Sequence, residues 1–246
     1  PAQRFMISHQ MFPTLIGEWS YDRSNQFVET FFQNVLNHCD ADGRTGESSG
    51  HVDVHHDKDF SNLFTMITDC AKEYVAQLSI DTDLWDFNLV KSWLSISDKS
   101  SIPAHDHADA HLSFVYYVNI PDSAPSAPIH FINKSTPNDL TGNMFYINPS
   151  ENGSMSGGSV REWNQFNSRT WNFVPHEGMI LIFPGHIPHH TDTGPDFRDS
   201  RDIPTTNVEE IRKRRVSLAG DFILTFKKKQ PICCGLQPVS NWKVFA

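Results

Sequence analysis

His107 and Asp109 stand two positions apart, so an extended backbone would present an imidazole and a carboxylate on one face. One apolar run later, Phe183-Pro184-Gly185-His186-Ile187-Pro188-His189 supplies another imidazole. Two histidines and one carboxylate leave coordination positions open on a bound metal, which suits non-haem Fe(II) that must meet O2 and a co-substrate. The spacing also admits a second frame. His105 shares the parity of His107, so both histidines of His105-Asp106-His107 are an alternative ligand pair. The frame of His107 and Asp109 is favoured because it supplies the acid.

Such a set needs a rigid support, and the chain after Trp85 has the pattern of one. Short runs rich in β-branched and aromatic residues, broken by Pro, Asn and Gly, predict strands near 86–97, 102–107, 111–119, 128–133, 143–147, 170–175, 178–183 and 215–226. Eight or so short strands predict a closed or sandwiched β-barrel. Upstream the period is helical. Ser24 is placed to cap a helix carrying Phe27, Val28, Phe31, Phe32, Val35, Leu36 and Cys39. Asp59 is placed to cap a second, with Phe60, Leu63, Phe64, Ile67, Ala71, Tyr74, Val75 and Leu78 in one stripe. Both helices are expected to pack on one outer face of the barrel. Segments 150–169 and 191–211 read as loops. The second, expected to be mobile, joins the distal histidine to the last strand and is placed to act as a lid.

The 246 residues fit one domain, with 1–84 as helical support, 85–226 as barrel and 227–246 as a C-terminal extension. A net charge of −9 disfavours nucleic acid, despite the runs Arg212-Lys213-Arg214-Arg215 and Lys227-Lys228-Lys229. No apolar stretch approaches a membrane span, and the first residues lack the charged start and apolar core of a secretion signal. Cys39, Cys70, Cys233 and Cys234 have no zinc-ribbon spacing and read as reduced thiols, so a soluble cytoplasmic protein is expected.

The order of parts resembles the Fe(II)/2-oxoglutarate-dependent oxygenases of the prolyl-hydroxylase-like superfamily. It is most similar to a bacterial and phage subgroup of hydroxylases. The resemblance rests on Phe12-Pro13-Thr14, Trp93, the Ser113 to Tyr117 strand and the Phe183 to His189 run, and covers the chain to about Phe226. It implies a double-stranded β-helix, a jelly-roll barrel of cupin-like form, mostly β with N-terminal helices. It implies Fe(II) on His107, Asp109 and His189, with His189 chosen over His186 and His190 by the Phe-Pro…Pro-His pattern. It further implies 2-oxoglutarate bound through Arg215, Ser217 and Tyr117, with O2 as the other co-substrate. A planar guanidinium pairs bidentately with a carboxylate, and a nearby hydroxyl completes its shell.

The expected activity is hydroxylation of a small-molecule or peptide substrate, with release of succinate and CO2. A cupin-type barrel that binds metal without 2-oxoglutarate is the rival; Arg215 and Ser217 count against it. A halogenase lacks the carboxylate ligand, and Asp109 counts against that. His51, His55 and His56 read as exposed, while His9, His38, His130 and His176 read as structural. His111 is a candidate for orienting a ligand. Trp93, Phe114, Phe131, Phe145 and Phe183 read as core, whereas Trp163 and Trp171 read as a substrate wall.

Overall fold

The computed structural model describes residues 13–21, 25–38, 52–97, 102–121, 127–134, 170–191, 207–230 and 235–245, together with 148, 149, 155, 156, 164 and 168. Its elements run β1 (Gly17–Ser20), α1 (Asn25–Val35), α2 (Ser61–Gln77), β2 (Trp85–Ser97), β3 (Ile102–His105), β4 (Leu112–Asn119) and β5 (Ile129–Ile132). They continue with β6 (Asn148–Pro149), β7 (Met155–Ser156), β8 (Thr170–Phe173), β9 (Met179–Pro184), β10 (His189–Thr191), α3 (Val208–Arg212) and β11 (Arg215–Phe226).

A five-stranded sheet has the order β1-β9-β4-β11-β2, and a four-stranded sheet has the order β3-β10-β5-β8. Every neighbouring pair is antiparallel. From β2 to β5 the chain alternates between the sheets, and it does so again from β8 to β11. That alternation is the jelly roll, or double-stranded β-helix. Each end strand of the chain's barrel portion lies beside the other, since β2 and β11 pair along their whole length.

Burial on both faces explains why β4 and β11 are predominantly apolar, with polar residues only at intervals. The even-numbered side chains Phe114, Tyr116 and Val118, with Ile180 and Ile182 of β9, meet α1 and α2 in the larger core. The odd-numbered Tyr117, Met179, Leu181 and Phe183 turn the other way and meet Ile129 and Phe131 of the small sheet. The barrel interior is therefore apolar on its β9 side. On its β2–β11 side it carries Lys91, Trp93 and Ser95 opposite Asp221, Ala219 and Ser217.

Several expectations need correction. The Ser24 cap lies outside the described residues. Asp59 does not cap α2, because it belongs to a 3-10 turn over Lys58–Phe60 that Asp57 caps by accepting from the Asp59 N–H. The region before residue 85 is not purely helical: β1 extends the large sheet along β9. The 102–107 strand ends at His105. Residues 143–147, Trp163 and 192–206 lie outside the description. The C-terminal end of the 191–211 segment is not loop but α3, where the Asn207 side chain accepts from the Glu210 N–H at 3.0 Å and Ile211 is buried. The basic run 212–215 forms no patch, because Arg212 pairs with Glu29 of α1 while Arg215 turns inward. Among the described residues no helix is long and apolar enough to cross a membrane.

Candidate metal centre

Among the described residues, the group whose ligand atoms converge is His105, His107 and His189, all within 4.8 Å of one another. The sheet register produces this. His105, the last residue of β3, is the cross-strand partner of His189, the first of β10, and their rings lie 4.4 Å apart. His107 enters from the turn that follows. Its backbone N–H donates to the Gly185 carbonyl at 2.8 Å, and its own carbonyl accepts from Ala110 at 3.0 Å.

That turn removes Asp109 from the set. Strand alternation stops at His105, so the parity argument does not reach residue 109. The Asp109 side chain is 76% exposed and lies 3.6 Å from the Lys91 ammonium. His105, the alternative in the sequence, takes the third place. His186 is exposed on the turn before β10, and His190 points out of the barrel, its ring stacked 4.7 Å from His130.

Each ligand ring is held by its other nitrogen. The His105 Nδ1 lies 2.8 Å from the Pro103 carbonyl and the His189 Nδ1 lies 3.0 Å from the Ile187 carbonyl. The His107 Nδ1 lies 2.6 Å from Oδ1 of Asp221. A carbonyl only accepts, and an ionised carboxylate only accepts, so each Nδ1 donates its proton and Nε2 is the nitrogen left to ligate. Three imidazoles oriented in this way form a donor set that fits Fe(II).

Burial drives the His189 imidazole down to about 4, and the neighbouring His105 and His107 push the same way, against the Ile187 carbonyl and Asp221. The ring is therefore neutral at neutral pH. Its folded value lies below the unfolded one near 6.5, so the unfolded chain takes up the proton first as pH falls. This stability term is full above about pH 6.5 and is lost progressively down to about pH 4. We expect metal-free protein to lose on the order of 3 kcal/mol across that window from this residue. Denaturant unfolding at pH 7 and pH 4.5 checks it, since His189→Gln should flatten the dependence.

Asp221 is fully buried and also accepts from the Ser113 hydroxyl at 2.6 Å, while Lys91 stands 3.2 Å from its Oδ2 as an ion pair rather than an aligned hydrogen bond. Burial alone would raise its carboxyl; the bond and charge of His107, with Ser113 and Lys91, outweigh that and hold it below the ordinary carboxylate range. Sequence analysis missed Asp221. The signal was present: it shares strand parity with Arg215 and Ser217 and is an acid amid an apolar run.

Gly185 fixes the approach of the two turns. A β-carbon there would sit 2.6 Å from the Ala110 carbonyl oxygen and 2.8 Å from that of His107, both backbone atoms with little freedom to retreat. Gly185→Ala is expected to push the 107–110 turn away, and a metal titration should show weakened binding even where circular dichroism shows an intact fold.

The second group of predicted residues does assemble. Arg215 is buried, its guanidinium lying 5.1 Å from the Tyr117 ring centre and donating to the Ala127 carbonyl at 2.8 Å. Ser217 is the cross-strand partner of Tyr117 and shares the inward face with Arg215. Burial raises the Tyr117 phenol, with the Arg215 charge pulling the other way. Among the described residues no carboxylate pairs with Arg215. A buried guanidinium without a counter-ion is costly unless a ligand supplies one.

The remaining candidates resolve simply. His111 accepts from the Leu224 N–H at 2.8 Å and clips β4 to β11 rather than touching a ligand. His55 is half-buried, not exposed, and its Nδ1 contacts the Ser92 hydroxyl at 2.9 Å. Trp93, expected in the core, stands beside His107 with 5.7 Å between rings. Trp171 is 49% exposed and lies across from Phe131 on the inward face of β8.

Residues 91–199, from β2 through β10, match the model of a family described as Putative 2OG-Fe(II) oxygenase. That stretch of the chain is therefore similar to the 2OG-Fe(II) oxygenases, and the strand order is that of a double-stranded β-helix. Among solved structures, it is similar to a 2OG-Fe(II) oxygenase family oxidoreductase from Burkholderia pseudomallei, at 10% identity and TM-score 0.37 over 67% of this chain; it spans 55% of that protein's length. It is also similar to a Pseudomonas putida prolyl-4-hydroxylase, at 12% identity and TM-score 0.46, covering 85% of this chain and 87% of that one. A third is the non-haem α-ketoglutarate-dependent epimerase SnoN from nogalamycin biosynthesis, at 10% identity and TM-score 0.48 over 93% and 92%. No curated protein matches the sequence.

Proposed function

We propose that this protein hydroxylates a small-molecule or peptide substrate, with Fe(II) held by His105, His107 and His189 and 2-oxoglutarate anchored at Arg215. The observation that carries the reading is a single barrel interior holding three imidazoles whose ligand atoms lie within 4.8 Å of one another and a buried guanidinium that, among the described residues, has no carboxylate partner. When bound, the iron supplies O2 activation coupled to conversion of 2-oxoglutarate to succinate and CO2, and transfer of oxygen to a substrate C–H bond.

The protein's own part is positioning. Arg215 forks onto the distal carboxylate, and the hydroxyls of Ser217 and Tyr117 complete its shell. Phe131, Leu181 and Phe183 line the apolar side and keep water from the co-substrate. The cluster offers three side-chain ligands, where a halogenase, lacking the carboxylate, offers two. The acidic net charge and the dispersed basic run 212–215 favour a substrate other than nucleic acid. We assign the chain to one catalytic unit, with 1–84 buttressing the barrel and 227–246 as an extension, and to the cytoplasm, consistent with the free buried thiol of Cys70.

The test is an anaerobic titration with Fe(II), then 2-oxoglutarate, followed by admission of O2 and measurement of succinate. The reading expects 2-oxoglutarate to bind tightly only after metal, and succinate to form. Metal binding without 2-oxoglutarate binding or succinate would return the protein to the cupin-type alternative.

A further inference from the structure

In the ligand set drawn above, none of the three histidines brings negative charge, while the bound cation would carry two positive ones. The acid nearest in sequence, Asp109, is turned to solvent and Lys91. A different acid is built into the wall. Asp221 is fully buried on β11, 2.6 Å from the Nδ1 of His107, whose opposite nitrogen faces the centre. Its position is over-determined: the Ser113 hydroxyl donates to the same oxygen at 2.6 Å, and Lys91 faces the other at 3.2 Å. The ladders around it set its aim. Asp221 pairs with Ser113 of β4 and Lys91 of β2, and a bulge follows at Asp221/Phe222 on the β2 side. Bulges beside sites commonly re-aim a side chain in this way.

We infer that Asp221 is the positioning carboxylate of this centre, delivering through the His107 ring the negative charge that an all-histidine ligand set lacks. This rests on the three-histidine reading of the centre. A carboxylate behind a ligating imidazole locks the tautomer, fixes the ring plane and raises the basicity of the ligating nitrogen. The Nδ1 atoms of His105 and His189 face the neutral carbonyls of Pro103 and Ile187. The carboxylate acts on the centre through His107. Lys91 faces the other carboxylate oxygen and balances the charge of Asp221. Ser113 holds Oδ1 toward His107, so that loss of its hydroxyl loosens the bond without altering the charge.

The test uses Co(II) alone as probe, on the full chain under anaerobic conditions, with calorimetry and proton NMR. Ring N–H protons of Co(II)-bound histidines give exchangeable, hyperfine-shifted resonances, so the wild type should show three. Asp221→Asn should lower Co(II) affinity roughly 10- to 100-fold, the usual effect of losing such a partner. It should also move one N–H resonance and leave two in place. Ser113→Ala should move the same resonance by less, and it decides the matter should Asp221→Asn fail to fold. Unchanged Co(II) affinity and an unmoved resonance in these variants, while His189→Ala abolishes binding, would overturn the role of Asp221 and leave the ligand set standing. Loss of binding in Asp109→Ala with full binding in His105→Ala would overturn the ligand set itself, and the inference with it.

Discussion

His189→Ala is expected to eliminate measurable Fe(II) binding, while Asp109→Ala leaves the affinity within a few-fold of wild type. Removing a hydrogen-bond partner behind a ligand costs roughly 10- to 100-fold in metal affinity, so deleting a ligand should exceed that range. His189 is buried and its ring stands 4.4 Å from His105 and 5.3 Å from His107. Asp109 lies on the solvent side of the turn, paired loosely with Lys91. Anaerobic calorimetry with each variant reads the contrast directly. Loss of binding in Asp109→Ala would return the carboxylate to the ligand set, whereas strong binding by His189→Ala would move the centre elsewhere.

The second large effect concerns the co-substrate. Arg215→Ala should raise the dissociation constant for 2-oxoglutarate by roughly 10- to 150-fold, the equivalent of about 1.5–3 kcal/mol for hydrogen bonds to a charged group. Arg215→Lys retains the charge but not the fork, and falls in the same direction by less. Metal binding should survive both, because Arg215 contacts Ala127 and Tyr117 rather than any of the three histidines. Arg214 is the control for strand register. Equilibrium dialysis of 2-oxoglutarate against the metal-loaded variants distinguishes them: a loss confined to Arg214→Ala would mean that the inward face of β11 is the other one.

Much of this was legible in the chain. Period-two spacing put Arg215 and Ser217 on one face, Tyr117 came from the family resemblance alone, and the register places Ser217 directly across from Tyr117. The helical stripe of α2 also reads without ambiguity, because Leu63, Phe64, Ile67, Ala71 and Tyr74 all meet the sheet. Asp109 misled because alternation was extended past the end of β3 into a turn. A hydrogen bond from Ala110 to His107 closes that turn, and no local residue pattern announces it. Asp221 was hidden for another reason. Its meaning lies in a partner 114 positions away along the chain. Strand β1 has only four residues and one neighbour, so its pairing with β9 leaves no periodicity to read.

Among the described residues, strand β3 lies at the margin of the small sheet, has four residues and is held by backbone pairing to β10 alone. Margins of this kind peel open most readily, since half of their hydrogen-bonding groups have no neighbour. His105 and His189 face each other across that one seam, and His107 follows immediately beyond it. A cation seated among them would clamp the seam shut, and whatever free energy it gains on binding is subtracted from the population of frayed barrels. Metal loading and closure of the barrel rim would therefore be one thermodynamic event, and a metal-loaded protein should unfold at a higher midpoint than the metal-free one.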